Sequence, residues 1–173
     1  MDIMRFSLLR PQHKYGRLAA AAIAAFFPAW LGAATKTTTF QVRLTLANDC
    51  AISASDLDFG SQGVLGANID QTTTVSVTCT TGAPYNVGLD AGTAAGSTIA
   101  NRRLAGPAAS SVGYQLYRDA ARTQIWGNTP GTDTVAGTGN GAAQILTVYG
   151  RVPPQATPAA GAYTSTITAT INF

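Results

Sequence analysis

Glutamate is absent from all 173 residues, and the single histidine, His13, lies with both methionines inside the first 34 positions. Beyond residue 34 no Ser-His-Asp or Cys-His catalysis and no histidine-ligated metal site is available, and paired-carboxylate chemistry would have to come from aspartates alone. Charged residues make up only 11% of the chain and aromatic residues 8%. Cysteine is limited to Cys50 and Cys79, with no CxxC spacing, so dithiol redox catalysis is disfavoured. These absences place an enzyme last among the function classes, and they call for no cofactor and no metal.

Residues 1–34 are read as a leader. Arg5, Arg10, Lys14 and Arg17 stand against Asp2, an apolar run occupies 18–31, and Gly32, Ala33 and Ala34 close the segment. That order is the layout of a secretory signal peptide. A membrane anchor is the rival reading, but the run is shorter than the roughly 20 residues that span a bilayer and contains Pro28. Cleavage near Ala34 would leave 173 − 34 = 139 residues, about one domain. It would also remove the basic character behind the pI of 9.1, because Lys36, Arg43, Arg102, Arg103, Arg118, Arg122 and Arg151 then balance seven Asp. A nucleic-acid partner is not expected, since that affinity needs clustered Lys and Arg.

In an exported chain the even pair Cys50 and Cys79 reads as one disulfide, with two buried thiols as the alternative. Such a bridge would staple facing layers. Thr is abundant after residue 34, with 24 copies, a composition that favours strands and turns. Period-2 alternation is clearest at the two ends. Phe40, Val42, Leu44 and Leu46 alternate with Gln41, Arg43 and Thr45, while Tyr163, Ser165, Ile167, Ala169, Ile171 and Phe173 alternate with Thr and Asn. The spacing predicts a full-length strand over 163–173 with its odd residues toward the core, and further strands over 50–54, 73–79, 85–89, 112–118 and 144–152. Gly-rich connections separate them at 60–66, 92–96, 127–141 and 153–161, the pattern of an antiparallel sandwich.

Several candidate motifs have plainer readings. The sequence Gly137-Thr-Gly-Asn-Gly141 lacks the Lys-Ser/Thr of a phosphate loop and reads as a connection. Asp56 and Asp58 beside Gly60 read as turn formers, and Asp119 with Arg122 as a weak surface ion pair. Trp126 reads as a core or rim packing residue, with sugar stacking as the rival role.

In order, the chain carries Asn48-Asp-Cys50-Ala-Ile, Leu57-Asp-Phe59-Gly60, Val75-Ser-Val-Thr-Cys79, Pro84-Tyr-Asn-Val-Gly-Leu-Asp90, Tyr114-Gln-Leu-Tyr-Arg-Asp119, Trp126-Gly127, Leu146-Thr-Val-Tyr-Gly-Arg151, and Gly161-Ala-Tyr163 leading to Ile171-Asn-Phe173. This set resembles the spore coat protein U domain, the pilin module of archaic chaperone/usher pili. One departure is Ser165, where the family often carries an acidic residue two positions after the tyrosine of its last motif. The resemblance implies an all-β, incomplete immunoglobulin-like antiparallel sandwich completed by a donated strand. It divides the chain into a signal peptide at 1–34, a donor-strand extension at 35–48 and a pilin domain at 49–173. Phe40, Val42, Leu44 and Leu46 would be the donated side chains, and Ile167, Ile171 and Phe173 would lie on the strand a chaperone anchors to. On alternation alone, residues 36–47 would be an ordinary first strand of their own domain; the resemblance reverses that order.

The implied partners are a periplasmic pilus chaperone, an outer-membrane usher and neighbouring subunits. The implied location is the surface of a Gram-negative bacterium, reached through the periplasm. A shaft subunit fits 139 residues better than a two-domain tip adhesin. A spore or cell-surface coat protein and a secreted carbohydrate-binding module remain the alternatives.

Overall fold

A computed structural model describes residues 32–173. The expected leader at 1–34 lies almost wholly outside the described residues. Leu44–Phe173 forms a compact unit. Residues 32–43 are described by themselves: they form no helix or strand, and their side chains are exposed.

The compact unit is a two-layer antiparallel sandwich of eight strands: β1 Cys50–Ala54, β2 Ile69–Cys79, β3 Pro84–Leu89, β4 Arg102–Ala105, β5 Ser111–Tyr117, β6 Val135–Thr138, β7 Ala143–Val152 and β8 Ala169–Asn172. One layer has the order β1-β2-β7-β5-β4, the other β6-β3-β8. Alternation explains which faces meet. Val75, Val77 and Cys79 of β2, Val112, Tyr114 and Leu116 of β5, and Tyr85, Val87 and Leu89 of β3 are all buried and share one core. The intervening Thr78 and Asn86 are less enclosed, as expected where one face of a strand packs and the other meets water.

Trp126 joins the layers. Its backbone N–H donates to Leu116 O at 2.9 Å and its indole Nε1 donates to Val87 O at 2.8 Å, so the core reading of this residue holds. Arg102 lies beside it, only 1% exposed. Its Nε donates to Asp90 O (2.9 Å), Nη1 to Gln115 Oε1 (2.6 Å), and Nη2 to Leu89 O (3.0 Å) and Trp126 O (2.7 Å). Burial lowers the Arg102 pKa from its ordinary value, yet four acceptors compensate the lost hydration. In the sequence Arg102 was one cation among seven. The register Arg102↔Tyr114 and Arg103↔Gly113 turns it inward and its neighbour outward.

Several expectations are corrected. The disulfide between Cys50 and Cys79 is present, but it joins directly paired residues of β1 and β2 within one sheet rather than two facing layers. The connection 127–141 contains strand β6, which pairs with β3. Gly137 pairs with Tyr85 in that strand, and it is glycine because a Cβ there would lie 2.4 Å from the Tyr85 ring, so it marks a close approach and not a loop. Strand β4 carries little apolar pattern and was not expected. Asp119 does not pair with Arg122; it caps its own turn by accepting from Thr123 N and Gln124 N. Arg122 reaches Asp70 at 3.4 Å and shares it with Arg151 at 2.7 Å. The Arg151 guanidinium holds the Asp70 carboxyl below its usual value. Asp58 accepts from Gly60 N at 2.8 Å, the expected turn.

The expected strand 163–173 is regular only over β8. A ladder needs a partner along its length, and β3 ends at Leu89, so residues 163–168 have only single bridges and loop side chains beside them.

Two outcomes are expected. Arg102→Leu should lower unfolding stability by about 3 kcal/mol or more, since it strands several buried acceptors, and chemical denaturation checks this. Replacing both cysteines by Ala should remove about 3–4 kcal/mol, given the sequence separation of 29. Thiol labelling of the denatured wild type without reductant should find no free thiol.

Candidate functional site

In an extended segment the backbone N–H and C=O of alternate residues point to opposite sides. Along 163–172 the even residues are paired. Thr164 exchanges both backbone bonds with Ala105 at 2.9 and 2.8 Å, Thr166 N donates to Thr93 Oγ1 at 3.1 Å, and Thr168 N donates to Asp90 Oδ1 at 2.9 Å. Asp90 N in turn donates to Thr168 O at 3.1 Å, after which β8 continues the ladder with β3. The odd residues face the other way. Among the described residues no backbone hydrogen bond reaches Ser165 or Ile167, and β8 is the outermost strand of its sheet.

This bare edge borders a groove of about 1060 Å³ in the compact unit. Phe59 and Leu65 line one wall, Ile167 and Ala169 the other, and Val75 and Leu116 the floor. The first wall comes from residues 55–68, which leave the β1 ladder after Ser55 N donates to Thr74 O and form no strand of their own. Phe59 meets Tyr114 edge to face, with ring centroids 6.4 Å apart. At the far end, the Tyr163 hydroxyl donates to Ala159 O at 2.7 Å and lies 2.9 Å from Ser110 Oγ, which anchors the start of the bare segment. The feature is a strand-shaped slot with one row of free backbone groups, apolar side chains at its base, and polar residues such as Asp56, Gln62 and Thr157 elsewhere in its lining.

The expected edge residues are only partly as drawn from the sequence. Ile167 and Ile171 are half-buried and pack against the core. Phe173 is 57% exposed, contrary to the expectation that every odd residue lines the core, because the ladder ends at Asn172↔Asn86 and nothing faces the last side chain. Phe40, Val42, Leu44 and Leu46 are between 79% and 86% exposed; they precede β1 and belong to no sheet. What sequence reading missed is Asp90, whose carboxylate also accepts from Gly92 N at 2.9 Å. An Asp followed two residues later by Gly was its available signal. No cluster of metal-ligating side chains occurs among the described residues.

A family model, the Spore Coat Protein U domain, matches residues 36–170. The chain belongs to that family. It is 35% identical over 170 residues to Protein U of Myxococcus xanthus, covering 90% of this chain and 93% of that protein. Among solved structures it is similar to a chain in the CsuC–CsuE chaperone–tip adhesion subunit pre-assembly complex from archaic chaperone-usher Csu pili of Acinetobacter baumannii. There the TM-score is 0.56 and the identity 19% over 75% of this chain. The present chain spans 41% of that solved chain, and the likeness establishes the immunoglobulin-like fold.

Amide exchange should show the alternation directly. In the isolated domain the amides of Thr164 and Thr168 exchange slowly and those of Ser165 and Ile167 fast, because only the former are bonded. Asp90→Ala should accelerate Thr168 and Gly92 selectively. Equal protection along 163–168 would contradict an open edge.

Proposed function

We propose that this protein is a structural subunit that polymerises head to tail by strand donation into a surface pilus of the chaperone-usher type. One observation carries the reading: a single chain has an unpaired edge over an open apolar groove, and also an exposed segment with four apolar side chains at strand spacing. Residues 36–47 of one copy enter the groove of the next as an added strand. Backbone bonding to the bare edge contributes affinity and the alternate side chains contribute specificity. Burying Phe40, Val42, Leu44 and Leu46 stabilises the contact by roughly 6–12 kcal/mol gross, before ordering costs. Because donor and acceptor are different surfaces, the contact repeats without closing, which is the geometry of a fibre.

Before assembly the same slot exposes apolar surface and strand edge, a hazard for aggregation. A periplasmic chaperone covers it, and an outer-membrane usher exports the subunit to the cell surface. Residues 1–34 serve export, 35–48 donate, and 49–173 accept, with Ile167, Ile171 and Phe173 on the edge that chaperone and donor share. Adhesion or biofilm formation follows from the fibre, and no catalysis is assigned. A second reading, a coat protein built by the same contact, draws on the match to nearly the full length of Protein U. Adjacent chaperone and usher genes favour the pilus, and their absence favours the coat.

Leu44→Asp is the decisive variant. Burying an unpaired carboxylate costs several kcal/mol, so the subunit should still be recovered in a periplasmic chaperone complex, because its own fold does not use Leu44. It should form no fibres. Loss of the complex, or normal fibres by electron microscopy, would overturn donation.

A further inference from the structure

Strand β7 has a partner on each side over only part of its length. Along one side it pairs with β2 from Ala143 to Val152, but on the other β5 meets it only at Tyr149, Gly150 and Arg151. Two bonds fix which residues of the remainder are bare. Thr74 O accepts from Ser55 N, on the β1 side of β2, so the odd residues of β2 face β7 and bond Gln144, Leu146 and Val148. Leu116 O accepts from Trp126 N, away from β7, so Gln115 and Tyr117 are the residues bonded to Arg151 and Tyr149. Ala143, Ile145 and Thr147 therefore turn their N–H and C=O groups to the β5 side, where no partner meets them among the described residues. The run Ala143-Gln-Ile-Leu-Thr-Val148 has no charge and no proline, and its register with β2 is unbroken. Charge, proline and bulge, the devices that blunt most free edges, are all missing. Ile145 is 60% exposed, and a recess of about 210 Å³ lined in part by Arg118, Val135 and Leu146 leaves space beside the edge.

We propose that this edge receives the same edge of a second copy, antiparallel and centred on Ile145, as a two-fold contact separate from strand donation. Tyr149 is already bonded to β5 and β7 begins at Ala143, so the bare window is 143–147 and Ile145 is its midpoint. Two such windows exchange both backbone bonds at each facing pair, 143 with 147, 145 with 145 and 147 with 143. Tyr149 of each copy then falls opposite Gly141 of the other, beyond the start of β7, and neither β5 obstructs the ladder. Centred on Thr147 instead, Ile145 would need Tyr149, and a single pair would remain. The chosen register also sets the two exposed Ile145 side chains against each other and brings no like charges together across the window. The donor segment suits this edge less well. Its apolar residues extend from Phe40 to Leu46, longer than the window, and the recess of about 210 Å³ compares with about 1060 Å³ in the groove. Where donation builds fibres, the contact ties them side by side, because a two-fold contact added to a head-to-tail one extends the assembly in a second direction. Only that consequence rests on the strand-donation reading; the pairing itself does not.

Facing residues of adjacent strands are close enough for a disulfide, and the native cysteines are already paired with each other. The full chain carrying Ile145→Cys, recovered as fibres or as single subunits, should give a cross-linked dimer on a non-reducing gel. Its yield should exceed those of Thr147→Cys and Val64→Cys by about tenfold or more, since a shift onto Thr147 forfeits two of the three bonded pairs. Val64, 84% exposed and outside every strand, reports random collision. Equal yields, or a stronger band from Thr147→Cys, would overturn the proposal. Adding Ala143→Cys to Thr147→Cys should restore the dimer, because those positions face each other, and no gain would also overturn it. Ile145→Lys supplies an independent reading: it sets two like charges face to face at an exposed position and leaves the donor segment intact. Side-by-side pairing of its fibres, counted by electron microscopy, should fall about tenfold. Wild-type fibres that never lie side by side, or pairing that Ile145→Lys leaves unchanged, would reject the contact. A chain that gives the Ile145→Cys dimer but no fibres would instead overturn donation and leave the edge contact standing.

Discussion

A strand with bonding groups on two sides and a partner on only one is the constraint around which this domain is organised. Between Tyr163 and Asn172 the even residues are held by Ala105, Thr93, Asp90 and β3. The odd residues turn their backbone groups toward an apolar groove. In a domain that closed its own sandwich, another strand of the same chain would occupy that position. Here the vacancy leaves both a row of donors and acceptors and a patch of uncovered core, and a single extended segment with period-2 apolar residues satisfies both at once.

An open slot persists only if its surroundings do not collapse into it. The hydrogen bonds of Arg102 and Trp126 serve that end. Arg102 gathers the carbonyls of Leu89, Asp90 and Trp126 with the Gln115 side chain, and Trp126 bonds to both layers. Together they hold the end of β3 against β5 without filling the groove. Asp90 extends the same brace to the C-terminal segment through Thr168. A buried guanidinium is an expensive element, but its directional bonds fix a spacing that apolar packing alone would let shrink. The Cys50–Cys79 bridge secures the β1 edge, just after the segment that presents Phe40 to Leu46.

Charge has a small part in this arrangement. Seven cations and seven aspartates balance over residues 35–173, and the cluster of Asp70, Arg122 and Arg151 resolves into local ion pairs. In the proposed assembly, recognition therefore falls to apolar complementarity and backbone pairing.

Much of this was legible from the amino-acid order alone. Alternation placed β1, β3, β5 and β7 closely, the cysteine pair indicated the bridge, the ordered motifs pointed to the family, and Phe40 to Leu46 stood out by their spacing. These features are local, or they repeat along one strand, and so they survive in one dimension. Tertiary structure alone decided the rest. Strands β4 and β6 exist because β5 and β3 offer them edges, and their own residues, Arg102–Ala105 and Val135–Thr138, carry little pattern. Which of two adjacent arginines is buried follows from the register with Tyr114. That Asp119 caps a turn while Arg122 crosses to Asp70 depends on which loops meet. The C-terminal alternation predicted a strand, but regularity requires a partner beside it, and only the folded arrangement shows where the partner stops.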